Sequence, residues 1–78
     1  MENVASRIIA KCGGHQAVAE MVGVDVSRVH RWTYSRERGG TGGFIPTRHQ
    51  AKLLQEARDR GLPLEPADFF PANDEAAA

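Results

Sequence analysis

A single glycine, Gly23, separates two short segments of this chain and limits how the chain can fold. Residues 15–22 carry apolar side chains at helical spacing, and Asp25 can cap a second helix over residues 26–34. Ala19, four positions before Gly23, permits close approach of two helices, and glycine tolerates the left-handed backbone of a tight turn. We therefore expect two short helices joined by a tight turn and packed at a steep angle. Five apolar side chains would form the interface between them: Val18, Val22, Val24, Val29 and Trp32.

The segments on either side of this pair are also bounded by glycine. Residues 3–12 carry an apolar stripe and predict a first helix, which the glycines at 13–14 end. Residues 35–43 contain four glycines and predict a flexible loop. After that loop, Phe44 and Ile45 are expected to be buried anchors that return the chain to the core.

A fourth helix is predicted over residues 46–60, with Pro46 in its first turn and Gly61 at its C-terminus. Residues 62–71 contain three prolines, so we expect mostly extended chain there, with one helical turn at 66–70. The sequence therefore predicts an all-α fold with four or five helices. The inward side chains of the fourth helix are expected to be Ala51, Leu53, Leu54 and Ala57.

The length of 78 residues allows one domain, which we expect to span residues 1–71, followed by a disordered tail over 72–78. A chain this short has no room for both a sizeable enzyme pocket and the scaffold that would hold it. No combination of nucleophile, base and orienting group stands out, so we expect neither enzymatic activity nor a cofactor. The single cysteine, Cys12, cannot form an internal disulfide and fits a reducing cytoplasm.

Metal and membrane functions are not expected either. The three histidines, His15, His30 and His49, do not have the spacing of a zinc motif, and no cysteine or acidic residue completes a ligand set. No apolar stretch approaches the length that crosses a bilayer, and the N-terminus lacks the order of a signal peptide. A binding module is therefore favoured over an enzyme or a membrane protein.

The formal charge of the chain is zero, but it is unevenly distributed. Residues 1–61 hold all ten basic residues and six acidic ones, whereas residues 62–78 hold four acidic and no basic residues. Residues 28–52 contain six basic residues against one acidic residue, a pattern that suits the phosphate backbone of a nucleic acid. This basic stretch overlaps the predicted helix over 26–34, which favours nucleic-acid binding over a merely solvated polar face.

Once Val29 and Trp32 are buried, the remaining side chains of residues 26–34 suit the major groove of DNA. Arginine can bond guanine O6 and N7 in a bidentate manner, serine is adaptable, and a small apolar group can touch a thymine methyl. In a helix-turn-helix the second helix reaches the bases, while the preceding helix and nearby loops contact phosphates. The predicted base-contacting residues are Val26, Ser27, Arg28, His30 and Arg31. The predicted phosphate-contacting residues are His15, Gln16, Tyr34, Arg36, Arg38, Thr41, Arg48 and Lys52.

Residues 14–32 resemble the helix-turn-helix of Cro/C1-type phage repressors, and more closely the small YdaS-like regulators. Residues 36–46 are similar to the "carph-isopro" subgroup, and residues 64–71 to the ending of the YdaS-like proteins. The resemblance covers about residues 4–71 and implies a compact four- to five-helix Cro/lambda-repressor-like domain that binds DNA and controls prophage-type or mobile-element genes. The loop is longer here than in many Cro-like proteins. The matching motifs are Gly13-Gly14, Val22-Gly23-Val24, Val29 to Trp32, Arg36 to Arg38, and Ile45-Pro46.

Two interpretations of the function remain open. The first is a sequence-specific regulator of transcription, nucleoid-associated in the cytoplasm, that binds double-stranded DNA as a homodimer through residues 62–71. The second is a protein-interaction adaptor, an antirepressor or a partner of RNA polymerase or another regulator, which the acidic segment around Phe69 and Phe70 favours. At least one of these two phenylalanines is expected to cap the core instead. Binding to random duplex that weakens with salt separates the two interpretations, because a pure adaptor lacks it.

Overall fold

The computed structural model describes residues 3–70, which form four α-helices and two single 3-10 turns, at Arg36–Arg38 and Pro66–Phe69. No strand occurs in this described range, so the all-α prediction is confirmed. The Cα radius of gyration is 11.9 Å, close to the roughly 11–12 Å of a compact chain of this length. Residues 72–78, predicted to be disordered, and the predicted domain limit at 71 lie outside the described residues. The helices are α1 (Val4–Lys11), α2 (His15–Val22), α3 (Val26–Arg31) and α4 (Thr47–Asp59).

Helix α2 lies at the centre of the fold, because it packs against both α3 and α4. Helix α1 packs against α2 and against the 3-10 turn at Pro66–Phe69, which closes the other side of the core. Each large apolar side chain buried in this way contributes about 1.5–3 kcal/mol of transfer free energy. The buried core consists of Val4, Ala5, Ile8, Ile9, Cys12, Val18, Ala19, Met21, Val29, Trp32, Ile45, Leu53, Ala57, Leu64 and Phe69.

The tight turn between α2 and α3 has the predicted construction. Gly23 adopts a left-handed backbone with φ 71° and ψ 37°, and its N–H donates to the carbonyl oxygen of Ala19 at 2.9 Å. Ala19 is buried at the contact, as a small residue allows. Asp25 caps α3 by accepting a hydrogen bond from the Ser27 N–H at 3.4 Å.

Helix α3 is shorter than predicted, since it ends at Arg31 and not at Tyr34. After that point the backbone tightens into successive bonds between residues three apart. The N–H of Thr33 donates to the His30 carbonyl oxygen at 3.2 Å, and the N–H of Tyr34 donates to that of Arg31 at 3.1 Å. These bonds still satisfy the last carbonyl groups of the helix, but they turn the chain away from the helix axis.

Three predictions about the segment around α4 are wrong. Phe44 is 42% exposed while Ile45 is buried, because neighbouring residues of an extended segment point to opposite sides and only one can face the core. Ala51 is exposed because it lies two residues from the buried Leu53, which is roughly half a helical turn. Pro46 is the N-cap of α4 and not part of its first turn.

The C-terminal segment is attached to α1 by polar contacts. The Nζ of Lys11 donates to Oδ1 of Asp68 at 2.8 Å, and Oδ2 of Asp68 accepts from the N–H of Glu65 at 2.9 Å. A second link runs from Nη2 of Arg7 to the carbonyl oxygen of Phe70 at 3.2 Å. Phe69 is buried beside these contacts and Phe70 is 65% exposed, so the prediction that at least one of them caps the core is confirmed.

Burial would raise the pKa of Asp68, but the hydrogen bonds from Lys11 and from the Glu65 backbone outweigh it and hold the pKa below its ordinary value. The ion pair therefore stabilises the fold above the ordinary aspartate pKa of about 3.9 and is lost as the pH falls through the lower folded value. We predict that Lys11→Met lowers the free energy of unfolding by up to about 1 kcal/mol near neutral pH, and by less in acid.

Urea unfolding at several pH values measures this difference. Lys52→Met is the matched control, because Lys52 is 61% exposed and pairs with Glu56 at 3.5 Å within α4 alone. A loss in Lys11→Met that stays constant from neutral pH to below the ordinary aspartate pKa would contradict the role given to Asp68.

Candidate nucleic-acid interface

The orientation of α3 follows from the burial of Val29. That side chain is completely buried, and Ser27 and Arg31 lie two residues to either side of it, roughly 160° around the helix axis. Both are exposed and lie one turn apart, so they form a ridge on the side of α3 that faces away from the protein. We call this pair the α3 ridge. A short helix presented in this way can enter the major groove.

The hydroxyl of Ser27 is oriented by the helix cap. It donates to the Asp25 carboxylate, and this hydrogen bond is the main reason that the pKa of Asp25 lies below its ordinary value. Because the single hydroxyl proton is already used, the oxygen presents its lone pairs to a ligand. Ser27 is therefore arranged to accept a hydrogen bond, as from an amino group of adenine or cytosine.

One flank of the α3 ridge is formed by two stacked histidines. The rings of His15, at the start of α2, and His30, on α3, are 4.0 Å apart at their centroids and only 11° from parallel. Burial lowers the pKa of His15, and the neighbouring His30 lowers it further. The stack holds His30 against α2, while Val26, the other predicted base contact on this side, is half-buried against the core.

The N-terminus of α2 opens beside the same histidines. Its N-cap, Gly14, carries no side chain that could accept from the first-turn N–H groups. Those N–H groups and the partial positive charge of the helix end are therefore available to an anion. Gln16, a predicted phosphate contact, is exposed in this first turn.

The other flank of the α3 ridge is a cleft between α3 and the start of α4. We call it the arginine cleft, because Arg28, Arg31 and Arg48 line it, and it encloses about 200 Å³. The rings of Trp32 and His49 lie 5.3 Å apart at its base. Burial lowers the pKa of His49, and the charges of Arg48 and Arg28 lower it further. The remaining lining residues are Gly39, Thr41 and Pro46.

Backbone hydrogen bonds close the loop after α3. The N–H of Gly40 donates to the Ser35 carbonyl oxygen, and the N–H of Gly42 donates to that of Tyr34, both at 3.0 Å. The Arg38 guanidinium lies 4.8 Å from the centroid of the Tyr34 ring, a distance suited to a cation–π contact. The loop therefore presents Arg38 in a defined position next to the arginine cleft.

Two predicted phosphate contacts already have partners within the protein. The Thr41 hydroxyl lies 3.1 Å from the Trp32 carbonyl oxygen and also contacts the Phe44 carbonyl oxygen. Lys52 lies 3.5 Å from the Glu56 carboxylate, which offsets part of its charge. Either side chain would have to share these partners with a phosphate.

Sequence reasoning missed the part that Asn3 plays in placing the loop. The Asn3 side chain caps α1 by accepting from the Ser6 N–H at 2.9 Å, and its Nδ2 donates to the Thr33 carbonyl oxygen at 3.2 Å. The N–H of Ala5 donates to the Gly43 carbonyl oxygen at 2.8 Å, so both ends of the loop are tied to α1. The cap was recognisable from sequence, since asparagine is a favoured N-cap, but its second partner is 30 residues away.

No family model, curated protein or solved structure matches this chain significantly. Within residues 3–70 no three His, Cys, Asp or Glu side chains lie close enough together to hold a metal ion. Nor does this described part of the chain contain a helix of the length and apolar character that would cross a membrane.

The close approach at Gly40 provides a test of the loop. A Cβ at this position would overlap the backbone carbonyl oxygens of Tyr34 and Arg31, neither of which can move without displacing the end of α3. We predict that Gly40→Ala lowers the free energy of unfolding by about 2–3 kcal/mol. Gly39→Ala is the control, since a Cβ there meets nothing within 4 Å and costs only about 1–2 kcal/mol from its φ of +82°. Thermal unfolding compares the two, and equal losses would show that the backbone contact at Gly40 is unimportant.

Proposed function

We propose that this protein is a sequence-specific, double-stranded DNA-binding regulator of transcription, built as a Cro-like helix-turn-helix and acting as a repressor. The observation that carries the proposal is the α3 ridge. Ser27 and Arg31 stand on a short exposed helix directly after a glycine turn, with positive charge on the flank of the arginine cleft. Arg31 would donate to guanine in the major groove and Ser27 would accept from a neighbouring base.

The surroundings of α3 support the proposal through phosphate contacts. With α3 in the groove, α2 would cross the DNA backbone, so that the free N–H groups after Gly14 meet a phosphate. On the other side, Arg36 and Arg38 are exposed in the loop and Arg48 is exposed at the start of α4. Half or more of protein–DNA hydrogen bonds go to phosphate and sugar, so basic groups on both flanks suit the duplex.

Some acidic residues lie away from this surface, whereas Glu37 stands between Arg36 and Arg38 in the loop and Asp25 caps α3. Asp68 is engaged by Lys11 on α1, and Glu56 lies between Lys52 and Arg60 on α4. No acidic side chain lines the arginine cleft within the described residues. A neutral chain can therefore present a basic surface, as expected for a nucleoid-associated protein of the cytoplasm. Control of prophage-type or mobile-element genes is the biological role that the resemblance implies.

Selection of binding sequences from a random duplex library tests the proposal. We predict one recovered motif, with Arg31→Ala losing about 1–3 kcal/mol of affinity at one base position and accepting other bases there. Arg38→Ala should lower the affinity for all sequences alike. It should also reduce by about one the magnitude of the slope of log binding constant against log salt concentration. Arg58→Ala is the control, because Arg58 is exposed on α4 and does not line the cleft. Failure to enrich any motif, with no salt-dependent binding to random duplex, would reject the proposal and favour the adaptor.

An exposed apolar area also favours a second copy of this chain as a partner. Phe70 is 65% exposed beside a groove of about 240 Å³ that Ala51, Leu54 and Phe69 also line. Specific protein–DNA interfaces of larger modules bury upwards of about 1,000 Å² of protein, more than a six-residue helix and its flanks can supply. Two copies would double the contacts, and Phe70 lies in the segment predicted to form the dimer surface.

We predict that the protein is a dimer on its DNA site and that Phe70→Ser converts it to a weaker-binding monomer. The variant should fold normally because Phe70 is mostly exposed. Phe44→Ser is the control, since Phe44 is also exposed but lies outside this groove. Light scattering after size-exclusion chromatography of the complex measures the stoichiometry, and one copy per site in the unaltered protein would contradict the prediction.

A further inference from the structure

The arginine cleft brings like charges together without an acidic partner. Arg28 and Arg31 approach from α3, and Arg48 approaches from the first turn of α4. His49 adds a fourth group that can carry a positive charge, and no Asp or Glu lines the cleft within residues 3–70. Because no acidic side chain in the lining offsets them, these groups give the cleft a positive potential that favours an anion.

The size and chemistry of the cleft limit what that anion can be. Its volume of about 200 Å³ is below the roughly 300–1,000 Å³ of pockets that enclose drug-sized ligands. A single tetrahedral oxyanion fits such a space, whereas a whole nucleotide would extend into solvent. Guanidinium groups bond phosphate oxygens through paired N–H donors, so Arg28 on α3 and Arg48 on α4 can hold one phosphate between them.

Two neighbouring rings, those of Trp32 and His49, line the cleft. Trp32 is buried and its ring lies 5.3 Å from that of His49, so the imidazole is held at the base by an aromatic neighbour. The charged groups that act on His49 are Arg48 on its own helix and Arg28 on α3, and Arg31 lines the same cleft. Burial and the arginine charges lower the pKa of His49 in the free protein. An anion would offset that repulsion and allow the imidazole to take up a proton.

We propose that the arginine cleft binds a single phosphate group, which the backbone of the bound duplex supplies; this source rests on the function proposed above. The contacts assigned to the residues of α3 then differ from those predicted from the sequence. Arg28, expected to contact a base, contacts phosphate, and the α3 ridge of Ser27 and Arg31 provides the base contacts. Phosphate binding at this point sets the depth and rotation of α3 in the groove.

Inorganic phosphate tests the site without DNA. The three histidine ring signals and the Trp32 indole signal are followed by NMR as phosphate replaces chloride at constant ionic strength. The expected result is a saturable shift at Trp32 and His49, with the pKa of His49 raised. In Arg48→Gln the saturation should require at least tenfold more phosphate, whereas Arg58→Gln behaves like the unaltered protein. No saturable shift, or equal behaviour of the two variants, would overturn the site.

Binding to random duplex tests the source of the phosphate. Arg48→Gln and Arg58→Gln each remove one charge from α4, so a diffuse electrostatic effect would weaken both equally. If the cleft holds a backbone phosphate, Arg48→Gln loses about tenfold in affinity and reduces the salt slope by about one, while Arg58→Gln changes little. Equal losses would overturn the DNA backbone as the source.

The phosphate titration and the duplex-binding experiment together also distinguish failure of this proposal from failure of the proposed function. Saturable phosphate binding in a protein that ignores duplex DNA would reject the DNA-binding function and leave the cleft as a site for a free phosphate group. DNA binding with a selected motif, but no phosphate response and no difference between the two variants, would reject the cleft alone.

Discussion

The burial of Val29 against α2 is the contact on which the candidate interface depends. Helix α3 has only six residues, and Val29 is its single completely buried side chain, so the rotation of the helix is set at that point. Trp32, three residues further along the chain, is also buried and lines the arginine cleft. If this contact were lost, the rotation of α3 that turns Ser27 and Arg31 away from the protein would no longer be fixed. The orientation of α3 is therefore coupled to the packing of the core.

The distribution of charge follows from the same arrangement. The acidic groups Asp68 and Glu56 stabilise the fold through internal ion pairs, whereas the arginines of the cleft have no acidic partner in its lining. Partly exposed pairs of this kind contribute little, at most about 1 kcal/mol each. The positive charge of the cleft would attract the negative charge of a phosphate backbone. A chain of zero formal charge therefore has a cleft whose lining includes three arginines and no acidic residue among the described residues.

The loop between α3 and α4 connects the packing of α3 with the placement of the charged groups. Its ends are attached to α1 through Asn3 and Ala5, and its middle is closed by backbone hydrogen bonds and the close approach at Gly40. The glycines therefore permit a specific fold of the backbone and do not simply loosen it. This places Arg38 and the rim of the cleft in a defined position relative to α3. A loop that is already fixed in this way would lose less conformational entropy on binding a ligand than a mobile one.

The sequence alone determined the all-α class, the glycine turn at Gly23, the Asp25 cap and the approximate extents of α1, α2 and α4, because these depend on local spacing and backbone preference. It also identified the basic stretch, although the roles of those side chains stay predictions. Tertiary structure alone decided where α3 ends, that Phe44 and Ala51 face solvent, and that Arg28, Arg31 and Arg48 share one cleft. These features depend on groups that are distant in the chain, such as Asn3 and Thr33, and local patterns carry no information about which distant groups will meet.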